Sequence, residues 1–246
     1  MTMADIQHLH TGAAMRFVPA PGTGPDERRA TILIVPGWTS VPFTSLSYTS
    51  LIEGLGRRGF NIMLVSLRGH QESSGNIESV TRDEHLADIA AAIEYMMAHP
   101  AVDTDACGAI GVSYGAYLLA IALDRTNHQF KALALRAPAL YPDDRWDEPI
   151  AVLAGGKMHA WRQESHLRDN NAALIAIGSY TGQLLIIRSE KDEHVPERTI
   201  EDYKAAAKRA PSSVFVLHGA EHVLDEQQRD SFLAKLIPWF SCALQN

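Results

Sequence analysis

Short apolar runs alternate with longer amphipathic stretches along most of this chain. Residues 31–35, 61–67, 106–112, 131–136, 183–188 and 213–217 are short and nearly continuous in Ile, Leu, Val and Ala. That pattern predicts strands buried on both faces. Residues 14–18 predict an earlier strand, followed by the turn-rich stretch 19–25 with its Pro and Gly. Between the runs lie helical segments at 44–58, 82–98, 117–123, 197–209 and 226–243. In the second of these, Leu86, Ile89, Ile93, Met96 and Met97 recur at helical spacing. Strands alternating with helices predict an α/β fold whose parallel sheet is covered on both faces. Ligands then bind beyond the carboxyl ends of the strands.

One stretch breaks the rhythm. From 141 to 182 no strand is predicted, and a connection of this length far exceeds the usual 4–6 residues or so. The expectation is a single domain over 1–246 with an inserted cap at 141–182 over the carboxyl edge of the sheet, an extra pair of surface helices being the alternative. Trp146, Met158, Trp161 and Tyr180 give the cap apolar surface and suggest a partly apolar acyl or aryl substrate group. Arg145, Lys157, Arg162 and Arg168 are read as its solvated face, with recognition of a carboxylate as the alternative.

The chemistry centres on Gly111-Val112-Ser113-Tyr114-Gly115. A predicted strand precedes it and a helix-like run follows, which is the context of a nucleophile elbow. A serine on so tight a turn adopts an unfavourable backbone conformation, and side chains two positions to either side would collide with strand and helix. The same five residues can also form a plain strand-to-helix turn. A serine hydroxyl needs a base within hydrogen-bond reach, and the base needs an orienting carboxylate. Both types occur downstream at predicted strand ends. Asp192 is assigned as the acid, with Glu190 and Glu193 as competitors, and His222 as the base. The oxyanion donors are assigned to the backbone N–H groups of Trp38, in the loop after 31–35, and Tyr114. His218 to His222 formally matches the H-x-x-E-H zinc pattern, but Gly219 suits a turn rather than a helix, and His218 is read as a packed strand-end residue.

Composition narrows the function classes. The chain has 246 residues, 22 Lys and Arg against 29 Asp and Glu, and a formal charge of −7. No basic block suits nucleic acid. No apolar run approaches the roughly 18 residues of a membrane span, and no secretory signal is visible. Of two cysteines, Cys107 lies in a predicted core strand. A cytoplasmic setting is expected.

With these motifs in place, the chain resembles the α/β-hydrolase superfamily, in its esterase, acyl-peptidase and dienelactone-hydrolase branches. Pro36-Gly37-Trp38 looks like the oxyanion loop, with Pro36 where His is common. The stretch 67–73 resembles the Asp-x-Arg-Gly-His-Gly-x-Ser loop, departing at Ser66 and Gln71, and is given no catalytic role. Residues 192–196 and 219–222 resemble the acid and histidine loops. The resemblance implies an eight-stranded, mostly parallel sheet with the second strand antiparallel, and no metal or organic cofactor. The expected activity is hydrolysis of a small carboxylic ester through an acyl-enzyme. A thioesterase or short-peptide hydrolase, a carbon–carbon hydrolase, and a non-catalytic binding protein on the same scaffold are the alternatives.

Overall fold

A computed structural model describes residues 6–24, 27–39, 41–153 and 157–245. Among them, eight strands form one sheet: β1 (Ile6–His8), β2 (Ala14–Val18), β3 (Arg29–Val35), β4 (Asn61–Ser66), β5 (Val102–Val112), β6 (Ala132–Arg136), β7 (Gln183–Ser189) and β8 (Ser212–Leu217). Their order is β1-β2-β4-β3-β5-β6-β7-β8. β2 runs antiparallel to both of its neighbours, and every other pairing is parallel. The helices are α1 (Leu46–Gly56), α2 (Arg82–Ala98), α3 (Tyr114–Arg125), α4 (Ile150–Leu153), α5 (Lys157–Arg162), α6 (Ala172–Ser179), α7 (Glu197–Ala206) and α8 (Glu226–Leu244).

The continuous apolar strands feed two cores through the period-2 alternation of strand side chains. Leu33, Val35, Ala109, Leu133, Leu135 and Ile186 point to the face covered by α2, α3, α6 and α7. Ile32, Ile34, Ile110, Ala134, Leu185 and Ile187 point to the other face, covered by α1 and α8 through Leu51, Leu55, Leu236 and Phe240. Full burial of each Ile, Leu or Phe contributes about 1.5–3 kcal/mol. In-register pairing of β3, β5 and β6 aligns the carboxyl ends of the central strands, where Val35 faces Gly111 and Val112 faces Arg136.

Several elements differ in extent from the pattern. β5 begins at Val102, because the polar 103–105 stretch continues the strand to a register shift against β3. α3 begins at Tyr114, immediately after Ser113, although Gly115 is a poor helix former. The described residues of the segment 141–182 carry three short helices, α4, α5 and α6, of which α6 is the crossover helix between β6 and β7. α6 buries Ala173, Leu174, Ala176 and Ile177. The excursion before α6 is anchored at its base. The buried Arg82 donates to the carbonyls of Pro142 (2.7 Å) and Asp144, and its guanidinium lies 4.4 Å from the Trp146 ring.

Candidate active site

Ser113 stands between β5 and α3 with φ 52° and ψ −115°, in the region that L-residues rarely occupy. Its backbone is fully engaged, which holds the strain. The N–H donates to the Arg136 carbonyl at 2.8 Å, and the carbonyl accepts from Ala116, Tyr117 and Ala139. The flanking glycines are required by close approach. A Cβ on Gly111 would lie 2.5 Å from the Ala116 Cα, and one on Gly115 would lie 2.1 Å from the Pro36 carbonyl oxygen. The elbow therefore wedges α3 against the loop after β3.

His222 follows β8 in a loop closed by the α8 capping box. There Asp225 accepts from the N–H of Gln228 at 2.8 Å, and the Gln228 side chain accepts from the Asp225 N–H at 3.1 Å. His222 Nε2 lies 3.0 Å from Ser113 Oγ, across 109 positions of sequence. Its Nδ1 lies 2.8 Å from Asp192 Oδ2 and 3.0 Å from Oδ1. Asp192 sits in the loop after β7 with its side chain 2% exposed. Its Oδ1 also accepts from the N–H groups of His194 and Val195, each at 2.9 Å. Burial pushes this carboxyl up, but the hydrogen bond and charge of His222 and the two N–H groups outweigh it and hold the pKa below its usual value. The two competitors point elsewhere. Glu190 accepts from the Gly219 N–H at 2.8 Å, and Glu193 is exposed.

Beside Ser113, Tyr114 is the first residue of α3, so its N–H has no partner within the helix. The helix dipole favours negative charge at that end. The loop carrying Trp38 reaches the same place, since a Cβ on Gly37 would lie 3.5 Å from Ser113 Cβ. That loop is pinned by the Gly37 N–H donating to the Tyr48 hydroxyl at 2.9 Å and by the Trp38 ring, which packs edge-on against Tyr114, His70 and His85. Burial pushes the Tyr48 phenol up to about 12 against the Gly37 hydrogen bond and the nearby Arg136.

Ser113 opens into a pocket of about 320 Å³, within the range of small-molecule sites. Its apolar wall comes from Tyr48 and Leu51 of α1, Val112, and Phe232 and Leu233 of α8, while Arg136 and Arg229 add charge. The apolar wall expected from the 141–182 segment is supplied here by α1 and α8 instead. None of the described residues of that segment lines the pocket. Its aromatics are engaged elsewhere, with Trp146 stacked on Tyr117 and Trp161 on His166, and the Tyr180 hydroxyl donating to the Phe130 carbonyl. A usable signal was present, because α1 and α8 closely follow the loops that bear Trp38 and His222.

Two smaller readings also change. His218 does not pack, since its side chain is 80% exposed with Nδ1 3.4 Å from Glu190. Arg162 is not on a solvated face but buried, donating to the carbonyls of Leu140 and His194. The 67–73 loop is braced by Arg68, whose guanidinium pairs with Asp88 at 2.9 Å and Glu84 at 3.1 Å. Cys107 is buried as expected, and burial pushes its thiol up to about 12.

The sequence pattern of the prolyl oligopeptidase family (Peptidase_S9) matches residues 46–246, which span α1 to α8 and include Ser113, Asp192 and His222. The chain belongs to the prolyl oligopeptidase family. As a member of that family it is an α/β-hydrolase enzyme, and a serine hydrolase. No curated protein matches it. The fold is that of Est1E from Butyrivibrio proteoclasticus, solved with ferulic acid bound (TM-score 0.75, 17% identity, covering 96% of this chain and 97% of that one). It is also that of the Pyrococcus furiosus esterase Pf2001 (0.71, 19%, 98% and 92%). Porphyromonas gingivalis dipeptidyl peptidase 4 shares it over 97% of this chain but only 35% of its own (0.69, 18%). No helix among the described residues of this prolyl oligopeptidase family member is long and apolar enough to cross a membrane.

Proposed function

We propose that this protein hydrolyses a carboxylic ester with Ser113 as nucleophile, His222 as general base and Asp192 as the orienting acid. The observation that carries the reading is the unbroken hydrogen-bonded line from Asp192 through His222 to Ser113 Oγ, with the serine on a strained turn. His222 takes the proton of Ser113 as Oγ attacks the carbonyl carbon. The developing oxyanion is held by the N–H groups of Tyr114 and Trp38, each worth about 3 kcal/mol of transition-state stabilisation. His222 then protonates the leaving alkoxide, and an acyl-enzyme remains. Water, deprotonated by the same imidazole, releases the acid and restores Ser113. Asp192 fixes the tautomer that presents Nε2 to the serine and stabilises the imidazolium.

An ester is favoured over a peptide by the largely apolar pocket. Hydrolysis of a short peptide by the same residues is the second reading, and the family match favours it. The 141–182 segment enters this proposal as a brace behind the acid loop. The proposed setting is cytoplasmic, in keeping with a sequence of two cysteines of which Cys107 is a buried thiol.

The test is a fluorophosphonate probe followed by peptide mass mapping, together with turnover of aryl acetates and dipeptide amides. A single adduct on Ser113 and faster ester turnover support the reading. An unlabelled Ser113 refutes it, and faster amide turnover moves the assignment to the peptidase.

A further inference from the structure

Arg136 ends β6 beneath the proposed catalytic residues, only 4% exposed, and lines the pocket beside Ser113. Its Nη2 donates to Ser189 Oγ at 2.9 Å and to the Glu221 carbonyl at 3.3 Å. Its Nε is buried with no hydrogen-bond partner among the described residues. Arg229, in the first turns of α8, lines the same pocket and donates to the Leu224 carbonyl at 3.2 Å. Neither arginine forms an ion pair among the described residues.

The other buried or half-buried arginines point away from the pocket. Arg29, Arg68, Arg188 and Arg198 pair with carboxylates, and Arg16, Arg82 and Arg162 donate to main-chain carbonyls outside it. The carboxylate whose charge reaches Arg136, Asp192, is committed to His222, His194 and Val195. Burial lowers the Arg136 pKa, with Asp192 and Tyr48 opposing. A guanidinium stays charged at any ordinary pH, so the desolvation cost stands until an anion offsets it.

We propose that this pocket selects substrates bearing a free carboxylate, bound by the guanidinium groups of Arg136 and Arg229. A planar two-oxygen anion matches the fork of a guanidinium, and the apolar wall strengthens the attraction by excluding water. The inference rests on Ser113 as nucleophile. The carboxylate belongs either to the acyl group, as in the hemiester of a dicarboxylic acid, or to the leaving group, as in an ester of a hydroxy acid.

The experiment compares kcat/KM within two pairs of esters. One pair is phenyl hydrogen glutarate and its methyl-capped diester. The other is the acetate of 4-hydroxybenzoate and that of its methyl ester. The expected result is a preference of about tenfold or more for the acid member of one pair, the size of one charge-assisted hydrogen bond, and the pair identifies the source. Arg136→Gln and Arg229→Gln should each reduce that ratio toward unity by raising KM for the anionic ester. Should Arg136→Gln fail to fold, Arg229→Gln and competitive inhibition of the native enzyme by glutarate decide the matter. No preference in either pair overturns the inference, provided the fluorophosphonate labels Ser113 and neutral esters are hydrolysed. An equal loss on both members of a pair also overturns it, because that is what a merely positional role through Glu221 beside His222 produces. An unlabelled Ser113 removes the underlying reading instead.

Discussion

Arg162 donates to the His194 carbonyl at 3.1 Å, and the N–H of the same His194 donates to Asp192 at 2.9 Å. The excursion between β6 and β7 thus holds the loop bearing Asp192 from behind. The His194 ring also meets the His222 ring edge-on at 5.0 Å. Arg162→Met leaves two carbonyls without their donor, those of Leu140 and His194. The expected cost is about 2–4 kcal/mol of stability. A loosened Asp192 should lower kcat by roughly tenfold, with KM little changed, since a positioned imidazole is needed in the transition state and not for binding. Urea midpoints and steady-state kinetics on an aryl acetate check both.

Gly115→Ala should be far more damaging than its size suggests. The added Cβ would meet the Pro36 and Val35 carbonyl oxygens at 2.1 and 2.7 Å, and both are main chain. A loss of about 1–3 kcal/mol or more is expected, with activity falling as the loop bearing Trp38 is displaced. Gly24→Ala, whose added Cβ meets nothing within 4 Å, serves as the control and should leave the thermal midpoint nearly unchanged.

The central sheet was legible because its strands are buried on both faces, so their apolar runs are continuous and hard to mistake. The turn bearing Ser113 and the loops bearing Asp192 and His222 fall at strand ends in the sequence, and the structure brings the three side chains within hydrogen-bond distance. The pocket wall was not. Phe232 and Leu233 belong to an amphipathic helix whose apolar face serves both core and pocket, and periodicity does not divide the two. Arg136 reads as a polar strand terminus, and only the fold shows it buried under the site. The 141–182 segment misled because its aromatics signal packing without saying against what.

The protein should lose stability below neutral pH before any carboxylate titrates. Burial and the adjacent His85 push the His70 pKa down to about 3, and neither ring nitrogen has a hydrogen-bond partner among the described residues. The unfolded chain binds a proton at His70 below about pH 6.5 that the folded state refuses until about pH 3. Stability therefore falls as pH drops through that window. Burial lowers the His85 and His99 pKa values in the same direction. Asp192, held below its usual value, adds a further loss at lower pH as its carboxylate is protonated. His70→Phe removes the unpartnered nitrogens and should flatten part of the slope, as read by denaturant titrations between pH 7 and 4. An unchanged slope in that variant rules out His70 as a source.

Asp192→Asn keeps the shape of the acid loop but presents an amide to His222 Nδ1 and favours the wrong tautomer. Turnover should fall on the order of 10⁴-fold while the thermal midpoint moves little. Glu190→Gln, which touches Gly219 and His218 but not His222, should leave turnover within a few-fold of the native enzyme. Reversed sensitivities would transfer the role of acid to Glu190.

The most direct measurement compares kcat for an activated aryl ester in Ser113→Ala, His222→Ala and the double variant. Residues that act as one unit give strongly non-additive losses. Each single variant is expected to fall by about 10⁶-fold, and the double variant no further. Losses that multiply in the double variant, or a Ser113→Ala enzyme that keeps most of its turnover, would contradict the proposed catalysis.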